Sequence, residues 1–477
     1  DQLTDGNAAN GEADVVVVAY HEGGPYSSTT GTLADQMKVP VFAHLVNDTS
    51  PKAAAIIQGH THQAYVYDVP VPGATDGSTR PVLQTGNYAQ NVGKIQFGID
   101  PTTKKVTGYN ATNVLVTAPT LDCAANAQWQ RAASIVDAAV AYAKPIAAQP
   151  IGKVTASITR AFNGTNEDRG AESSLSNLIA QQMVESVNAT GNNHADIGLM
   201  NPGGVRADLL YGTDGSITYG QAASVLPFGN TLKTADYTGA QVKQILEEQW
   251  QPAGASRTYL QLGLSKNTTY TYDPNRPKGD RITSVTVNGK PLDPTATYSL
   301  TSSSFLVTNA GVAPDNFATM LQGTNYRDTG LVDMNAFVDW FKANSPVSPS
   351  FAKHGVALVP HPTPLTIDTT ATFEVQGLDM TSVGSPSNTS VDVYVGSVKV
   401  GTYPVQPTVL ATPVPVRKGN GTVSFYVSGS WLAKTLRASG LPPGSKSAPT
   451  TLRIVAPDTG TESIVPVVLQ RPGKGRG

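Results

Sequence analysis

The chain has 477 residues, room for two to four domains at roughly 150 residues each, and 39% of it is hydrophobic, enough to pack their cores. Lys and Arg total 33 against 35 Asp and Glu, a net charge of −2 with only 14% of residues charged, so the chain has neither the basic excess of a nucleic-acid binder nor an acidic solvating tail. A single cysteine, Cys123, excludes an internal disulfide, no apolar run approaches the ~20 residues of a membrane span, and 45 Gly with 34 Pro favour strands and loops over a helical bundle.

The polar stretch Asp1 to Asp14 does not read as a signal peptide. It runs at once into Val15–Val18, four β-branched residues that predict a fully buried strand. That abrupt start leads us to expect further sequence upstream. Val39–Leu45, Ala54–Gln58, Pro81–Thr85 and Val92–Ile99 predict further strands, with helical segments between some of them, an α/β pattern. Asn126 to Ala143 predicts an Ala-rich helix stopped by Pro145, and residues 119–148 are taken as a linker between domains.

Residues 149–363 alternate again, as a second α/β domain. Ser173 to Val187 predicts an amphipathic helix with Leu175, Leu178, Ile179, Met183 and Val187 on one side. Thr238 to Gln249 and Asn335 to Ala343 predict two more helices, and Val285–Val287 before Asn288-Gly289 predicts a strand entering a tight hairpin. From residue 364 the texture changes to short alternating runs such as Val391–Val395, Val423–Val427 and Thr451–Val455, which predict an all-β sandwich of about 110 residues ending in a basic, Gly-rich tail.

Two strand ends in residues 1–118 carry chemistry. One apolar strand ends at His21-Glu22-Gly23-Gly24, and another ends at Gly59-His60-Thr61-His62. In open α/β sheets, ligands gather at the carboxyl ends of strands. A lone His at a strand end is commonplace, but three of seven histidines at two such ends point to a metal site, and imidazole suits Zn, Mn and similar ions. His44, His194, His354 and His361 have no such context and read as structural.

In the second domain, Met200-Asn201-Pro202-Gly203-Gly204-Val205-Arg206 is a strand end, a Gly-rich turn and an Arg, a combination suited to an anion. Val225-Leu226-Pro227-Phe228-Gly229-Asn230 puts an aromatic on a tight turn. Ser304-Phe305-Leu306 ends another predicted strand, with Asp315 a short way on. Two Phe side chains on separate loops suit a purine sandwich, and an Asp suits ribose hydroxyls; the alternative fate of each Phe is core packing.

These segments resemble two known families. Gly59-His60-Thr61-His62 resembles the last signature of the calcineurin-like metallophosphatases and His21 the one before it, which implies a site for two divalent metal ions with His21 and His60 on one and His62 on the other. That family's earlier signatures, Asp-x-His, Gly-Asp and Gly-Asn-His-Asp/Glu, supply its remaining ligands and catalytic His, and none precedes His21 here. Residues 1–118 therefore resemble only the C-terminal part of such a domain, a β-sandwich flanked by helices. Asn201-Pro202-Gly203-Gly204-Val205-Arg206, Phe228-Gly229-Asn230 and Arg169-Gly170-Ala171-Glu172 resemble the motifs of the 5′-nucleotidase C-terminal domain. The resemblance implies that Phe228 and Phe305 stack the base, that Arg169, Asn201, Gly204, Arg206 and Asn230 surround the phosphate or sugar, and that Asp315 holds the ribose, with Arg160 a weaker phosphate candidate. Between Phe305 and Asp315 the loop is longer than the family's and lacks its Gly-Gly.

The function so implied is hydrolysis of nucleoside 5′-phosphates by a two-metal mechanism in an exported protein that sits outside the cell, on its surface or in a periplasm. UDP-sugar hydrolase, 2′,3′-cyclic nucleotide phosphodiesterase and a non-catalytic nucleotide-binding surface protein are the alternatives. The expected partners are the nucleotide substrate and, through the sandwich, cell wall or another protein. Sequons at Asn47 and Asn267 carry no weight in a composition that reads as bacterial.

Overall fold

The computed structural model describes residues 2–7, 9, 11–87, 89–116, 125–253, 255, 257–309 and 317–473. The chain divides into two compact units, and the division falls between Val136 and Asp137, within one long helix. The architecture is mixed α/β, as the patterning predicts.

In the first unit, strands Val16–Ala19, Ala53–Ile57 and Thr79–Thr85 run parallel, and Ala64–Pro70 closes the sheet antiparallel to the last of them. The sheet packs on a core of Phe42, Val46, Ile56, Tyr65, Val69 and Val82. Two expectations change here. Val16–Ala19 is an edge strand whose residues alternate between half-buried and exposed, so its run of Val does not mark burial on both faces. Val39–Leu45 is not a strand: Pro40–Asn47 is a helix with Pro at its first turn, where the missing N–H costs nothing, and Phe42 and Val46 at i, i+4 go into the core. A short apolar run cannot distinguish the two by itself.

The linking helix is longer than expected, Ala127–Ala147, and it passes through Pro145. Pro removes one amide donor near the helix end, and the main chain continues with Ala148 N–H donating to Lys144 O (3.0 Å). Cys123 and most of the predicted 119–148 linker's first turn lie outside the described residues.

The second unit contains three sheets that matter for function. The first is five-stranded, in the order Gly263–Leu264, Ile197–Met200, Thr297–Ser303, Thr231–Thr238, Thr324–Val332. Helix Ser174–Ala189, capped by the Ser173 hydroxyl, buries Leu175, Ile179, Met183 and Val187 together with Phe337 and Phe341 of helix Asp333–Asn344. It sits so close to Ile197–Met200 that a Cβ on Gly198 would meet the carbonyl oxygen of Ala180 at 2.0 Å. Both atoms are backbone or backbone-fixed, so neither side can yield without moving the helix. Gly198→Ala is therefore expected to destabilise by about 1–3 kcal/mol or more, read as a lowered midpoint in thermal or urea unfolding; an unchanged midpoint would show that the helix is free to slide outward.

The expected domain boundary at 363 is not a break in the packing. A seven-stranded sheet runs from Lys290–Pro291, Ile282–Val287 and Thr268–Tyr272 through Gly355–Val359 into Thr370–Gln376, Arg417–Tyr426 and Gln406–Leu410. Tyr272 pairs with Ala357, Ala357 with Gln376 and Phe373 with Val423, so one hydrogen-bonded ladder joins the residues on both sides of 363. The five-stranded sheet of Leu365–Thr366, Thr461–Gln470, Ser447–Ala456, Ser390–Val395 and Val398–Pro404 faces it across a core of Val391, Val393, Leu452, Ile454, Val465, Phe373 and Val423. The sandwich also carries a helix, Gly429–Ala438, that adds Leu432 and Leu436 to this core. Trp250 Nε1–H donates to Val414 O (2.9 Å), and Ser382 Oγ–H donates to Thr159 O (3.1 Å), so the sandwich is fastened at two further points. Among the described residues no helix is long and apolar enough to cross a membrane.

Candidate functional site

The predicted metal ligands stand at neighbouring strand ends. His21 follows Val16–Ala19 and His60 follows Ala53–Ile57, two adjacent parallel strands, and their rings lie edge to face with centroids 5.2 Å apart. His60 and His62 both have positive φ, 65° and 59°, a region His enters more readily than most side chains. The intervening Thr61 turns inward: its hydroxyl donates to Gly24 O (2.7 Å) and accepts from Gln84 Nε2 (2.7 Å). Tyr65, whose phenol burial pushes up to about 12, donates to Gln58 Oε1 (2.6 Å) and accepts from Gly24 N–H (2.9 Å). Beside this neutral hydrogen-bond frame His60 is half-buried and His62 exposed. His62 Nδ1 lies 3.5 Å from Asn87 Nδ2.

Whether these residues fit a two-metal centre can be judged from the donor set. Such a centre needs bridging carboxylates as well as imidazoles. Among the described residues no group of three or more His, Cys, Asp or Glu is disposed to hold a metal ion. Three imidazoles on two loops are a partial set and do not fit a dimetal centre by themselves, so no chemical step is derived through one.

The predicted ligand residues of the second unit converge better. Strands Ile197–Met200 and Thr297–Ser303 are parallel neighbours, so Asn201 and Phe305 leave the same end of one sheet. Thr231–Thr238 runs antiparallel, with Leu232 opposite Ser303, which brings the preceding Phe228-Gly229-Asn230 to that end too. Gly263 pairs with Met200, and two residues earlier Gln261 N–H donates to Arg169 O (2.9 Å). Register alone therefore gathers Arg169, Asn201, Gly204, Arg206, Phe228, Asn230 and Phe305 at one sheet end, where open α/β sheets bind ligands. Asp315 lies outside the described residues.

Each side chain has a reason to be where it is. Asn201 is buried at 2% exposure and precedes a 3-10 turn, Pro202–Gly204. A Cβ on Gly204 would meet Met200 Cε at 2.4 Å, so a larger residue in this turn would have to push aside the flexible end of the Met200 side chain. Arg206 is held by its own N–H donating to Val225 O (3.0 Å), and its guanidinium carbon lies 5.8 Å from the Phe228 ring centroid. Phe228 is 58% exposed, which rules out core packing; Phe317, Phe337 and Phe341 are fully buried and do that work. Phe305 is half-buried and, contrary to the expected strand end, lies in the first turn of helix Ser304–Asn309. Asn230 is tied down: its Nδ2 donates to Asp333 Oδ2 (3.2 Å) and its O accepts from Asp333 N–H (2.8 Å). Burial raises the Asp333 carboxyl above its ordinary value, and the Asn230 bonds partly offset this. Arg160 is spoken for by Asp208, through Nε (3.1 Å) and Nη2 (3.0 Å), and by Glu167, through Nη1 (3.1 Å). Asp208, Glu167 and Asp333 were not picked out from sequence. Asp208 and Glu167 pair with Arg160 and Arg169, and Asp333 with the Asn230 amide, pairings that the fold makes.

A cavity of about 30 Å³, lined by Asp168, Glu172, Lys353, Asp379 and Lys418 among others, is far too small for a nucleotide; sites for such ligands run to roughly 300–1,000 Å³. The open sheet end is the larger opportunity.

The mixed sheet thus gathers guanidinium groups, a buried amide and an exposed aromatic at one end. Residues 150–322 match the family model described as 5′-nucleotidase, C-terminal domain. It is 27% identical over 303 residues to endonuclease YhcR of Bacillus subtilis, covering 63% of this chain and 22% of that protein. Protein UshA of Salmonella pullorum is 30% identical over 153 residues, 32% of this chain and 25% of its own length. The 5′-nucleotidase of Vibrio cholerae is 30% identical over 183 residues, 38% and 29% respectively. The chain thus spans between 22% and 29% of these relatives. Among solved structures, the 5′-nucleotidase precursor of Thermus thermophilus is similar at 25% identity with a TM-score of 0.41, covering 64% of this chain and 59% of that one.

Proposed function

We propose that the protein binds nucleoside 5′-phosphates and hydrolyses them to nucleoside and phosphate, with the base and phosphate held by the second unit. The observation that supports this reading is the convergence of Arg169, Asn201, Arg206, Phe228 and Phe305 on one end of the five-stranded sheet. On this reading Phe228 and Phe305 stack the base. Arg169 and Arg206 take the phosphate as paired, directional donors. Asn201 and Gly204 close the turn around its oxygens, Asn230 fixes the Phe228 loop, and Asp315 takes the ribose. Two divalent cations, Zn or Mn, are the cofactors the reading implies, with His21, His60 and His62 offering three of the donors. An exported location and attachment to cell wall or a partner through the sandwich belong to the same proposal.

Titration calorimetry with AMP, adenosine and inorganic phosphate tests the binding half. AMP is expected to bind more tightly than adenosine, and adenosine more tightly than phosphate; a chain that binds none of them would overturn the reading. The chemical half is tested by phosphate release from AMP, UDP-glucose and 2′,3′-cyclic AMP with added Mn or Zn. AMP is expected to be turned over fastest, and the absence of release from AMP would reject hydrolysis of nucleoside 5′-phosphates.

A further inference from the structure

The hairpin formed by Phe162–Asn163 and Asn166–Glu167 ends beside Arg169, and its last residue does more than close a turn. Glu167 Oε2 accepts from Arg160 Nη1 (3.1 Å), and Glu167 Oε1 accepts from Arg169 Nε (2.9 Å). Arg160 is in turn gripped by both oxygens of Asp208, and its backbone N–H also donates to Asp208 Oδ1 (2.8 Å). The four side chains form one line, Asp208–Arg160–Glu167–Arg169, and all are between 15% and 26% exposed. Two cations and two anions cancel, so this line adds no net attraction for a phosphate.

What it adds is direction. Arg160 has Nε, Nη1 and Nη2 all committed to carboxylates, and those bonds, Asp208 first, hold its guanidinium above the ordinary arginine value. It is a strut rather than a ligand donor. Arg169 differs: among the described residues its carboxylate bond is made by Nε alone. A guanidinium is rigid and planar, so fixing Nε against one oxygen fixes the plane and turns the remaining Nη edge away from the strut. We infer that Glu167 is a positioning residue, anchored by Arg160 and Asp208, that orients the Nη edge of Arg169 toward the phosphate of a bound nucleotide. This rests on the reading above that Arg169 contacts that phosphate.

The test measures AMP and adenosine binding by calorimetry in the parent chain, Glu167→Ala, Glu167→Gln, Arg169→Ala and the double variant Glu167→Ala/Arg169→Ala. Thermal melts confirm that each is folded. Glu167→Ala is expected to weaken AMP about tenfold, the scale of coupling between residues in contact, and to leave adenosine unchanged. Glu167→Gln keeps an acceptor oxygen and is expected to restore part of the loss, and the double variant is expected to bind AMP no worse than Arg169→Ala. Equal weakening of AMP and adenosine in Glu167→Ala would show a merely structural role and overturn the inference. So would Glu167→Ala binding AMP normally while Arg169→Ala does not. If Arg169→Ala itself binds AMP like the parent, the phosphate role of Arg169 falls, and the inference with it.

Discussion

Glu172→Ala is expected to lower the unfolding free energy of the second unit by roughly 3–5 kcal/mol, the scale for removing one partner of a buried ion pair. Glu172 is 2% exposed and sits just ahead of helix Ser174–Ala189. Its carboxylate accepts from His354 N–H (2.7 Å), Gly355 N–H (3.2 Å) and Asn177 Nδ2 (2.8 Å), and Lys353 Nζ lies 3.1 Å away. These donors belong to the start of the helix and to the segment entering strand Gly355–Val359, the middle of the sheet that crosses residue 363. Alanine would strand the largely enclosed Lys353 ammonium, its side chain 11% exposed, and two backbone amides at once. Glu172→Gln keeps the shape and one acceptor, so its loss is expected to be clearly smaller. Urea unfolding gives both numbers, and a Glu172→Ala midpoint within error of the parent would show that water replaces the carboxylate at this depth.

The same group sets the response to acid. Burial pushes the Glu172 carboxyl up, but Lys353, His354 and the hydrogen bonds overcome it and hold it below its ordinary 4.5. A carboxyl depressed in the fold contributes stability above its unfolded value, and that contribution is lost as pH falls through the folded value. His354 carries the same sign, because burial holds its imidazole below 6.5 and acid must charge it inside the fold. Stability of the unit is therefore expected to fall as pH drops below 6.5, through His354 first and Glu172 later.

Glu172 also shows what the sequence hides. The helix it precedes is readable because Leu175, Ile179, Met183 and Val187 repeat at helical spacing and Ser173 is a good cap. The hairpin at Asn288-Gly289 is readable because both residues adopt positive φ, 53° and 70°. Local chemistry determines those features. The Glu172–Lys353 pair joins residues far apart in the chain, and the sheet that crosses 363 depends on the register of Gly355–Val359 against two strands, so neither leaves a local trace. Pro40 and Phe305 mark the intermediate case: each lies in an apolar run where strand and helix have the same pattern until packing decides. For the candidate site, motif residues were legible as types. That they meet at one sheet end follows from the parallel pairing of Ile197–Met200 with Thr297–Ser303, which no residue announces.

Phe228→Ala is expected to weaken nucleoside binding by about 1–3 kcal/mol, the usual worth of a base-stacking aromatic, or roughly 5- to 150-fold. The argument starts from exposure. An aromatic left 58% exposed on a turn gives up favourable burial of its own, so its open face is available to a flat partner. Gly229, at φ 65°, lets the chain reverse directly after the ring, and Asn230 anchors the far side of the turn through Asp333. The ring is therefore presented by a fixed loop, and little ordering is required on binding. Arg206 lies 5.8 Å from the ring centroid, so the variant also removes a cation–π partner and loosens the Arg206 side chain along with any base stacking. Phe228→Trp separates the two effects: it keeps a stacking face and a ring beneath Arg206, and is expected to bind adenosine at least as well as the parent. Calorimetry with adenosine, which lacks the phosphate, reads the stacking contribution alone. Adenosine binding unchanged in Phe228→Ala would remove the stacking role, and a loss confined to AMP would assign Phe228 to holding Arg206 instead.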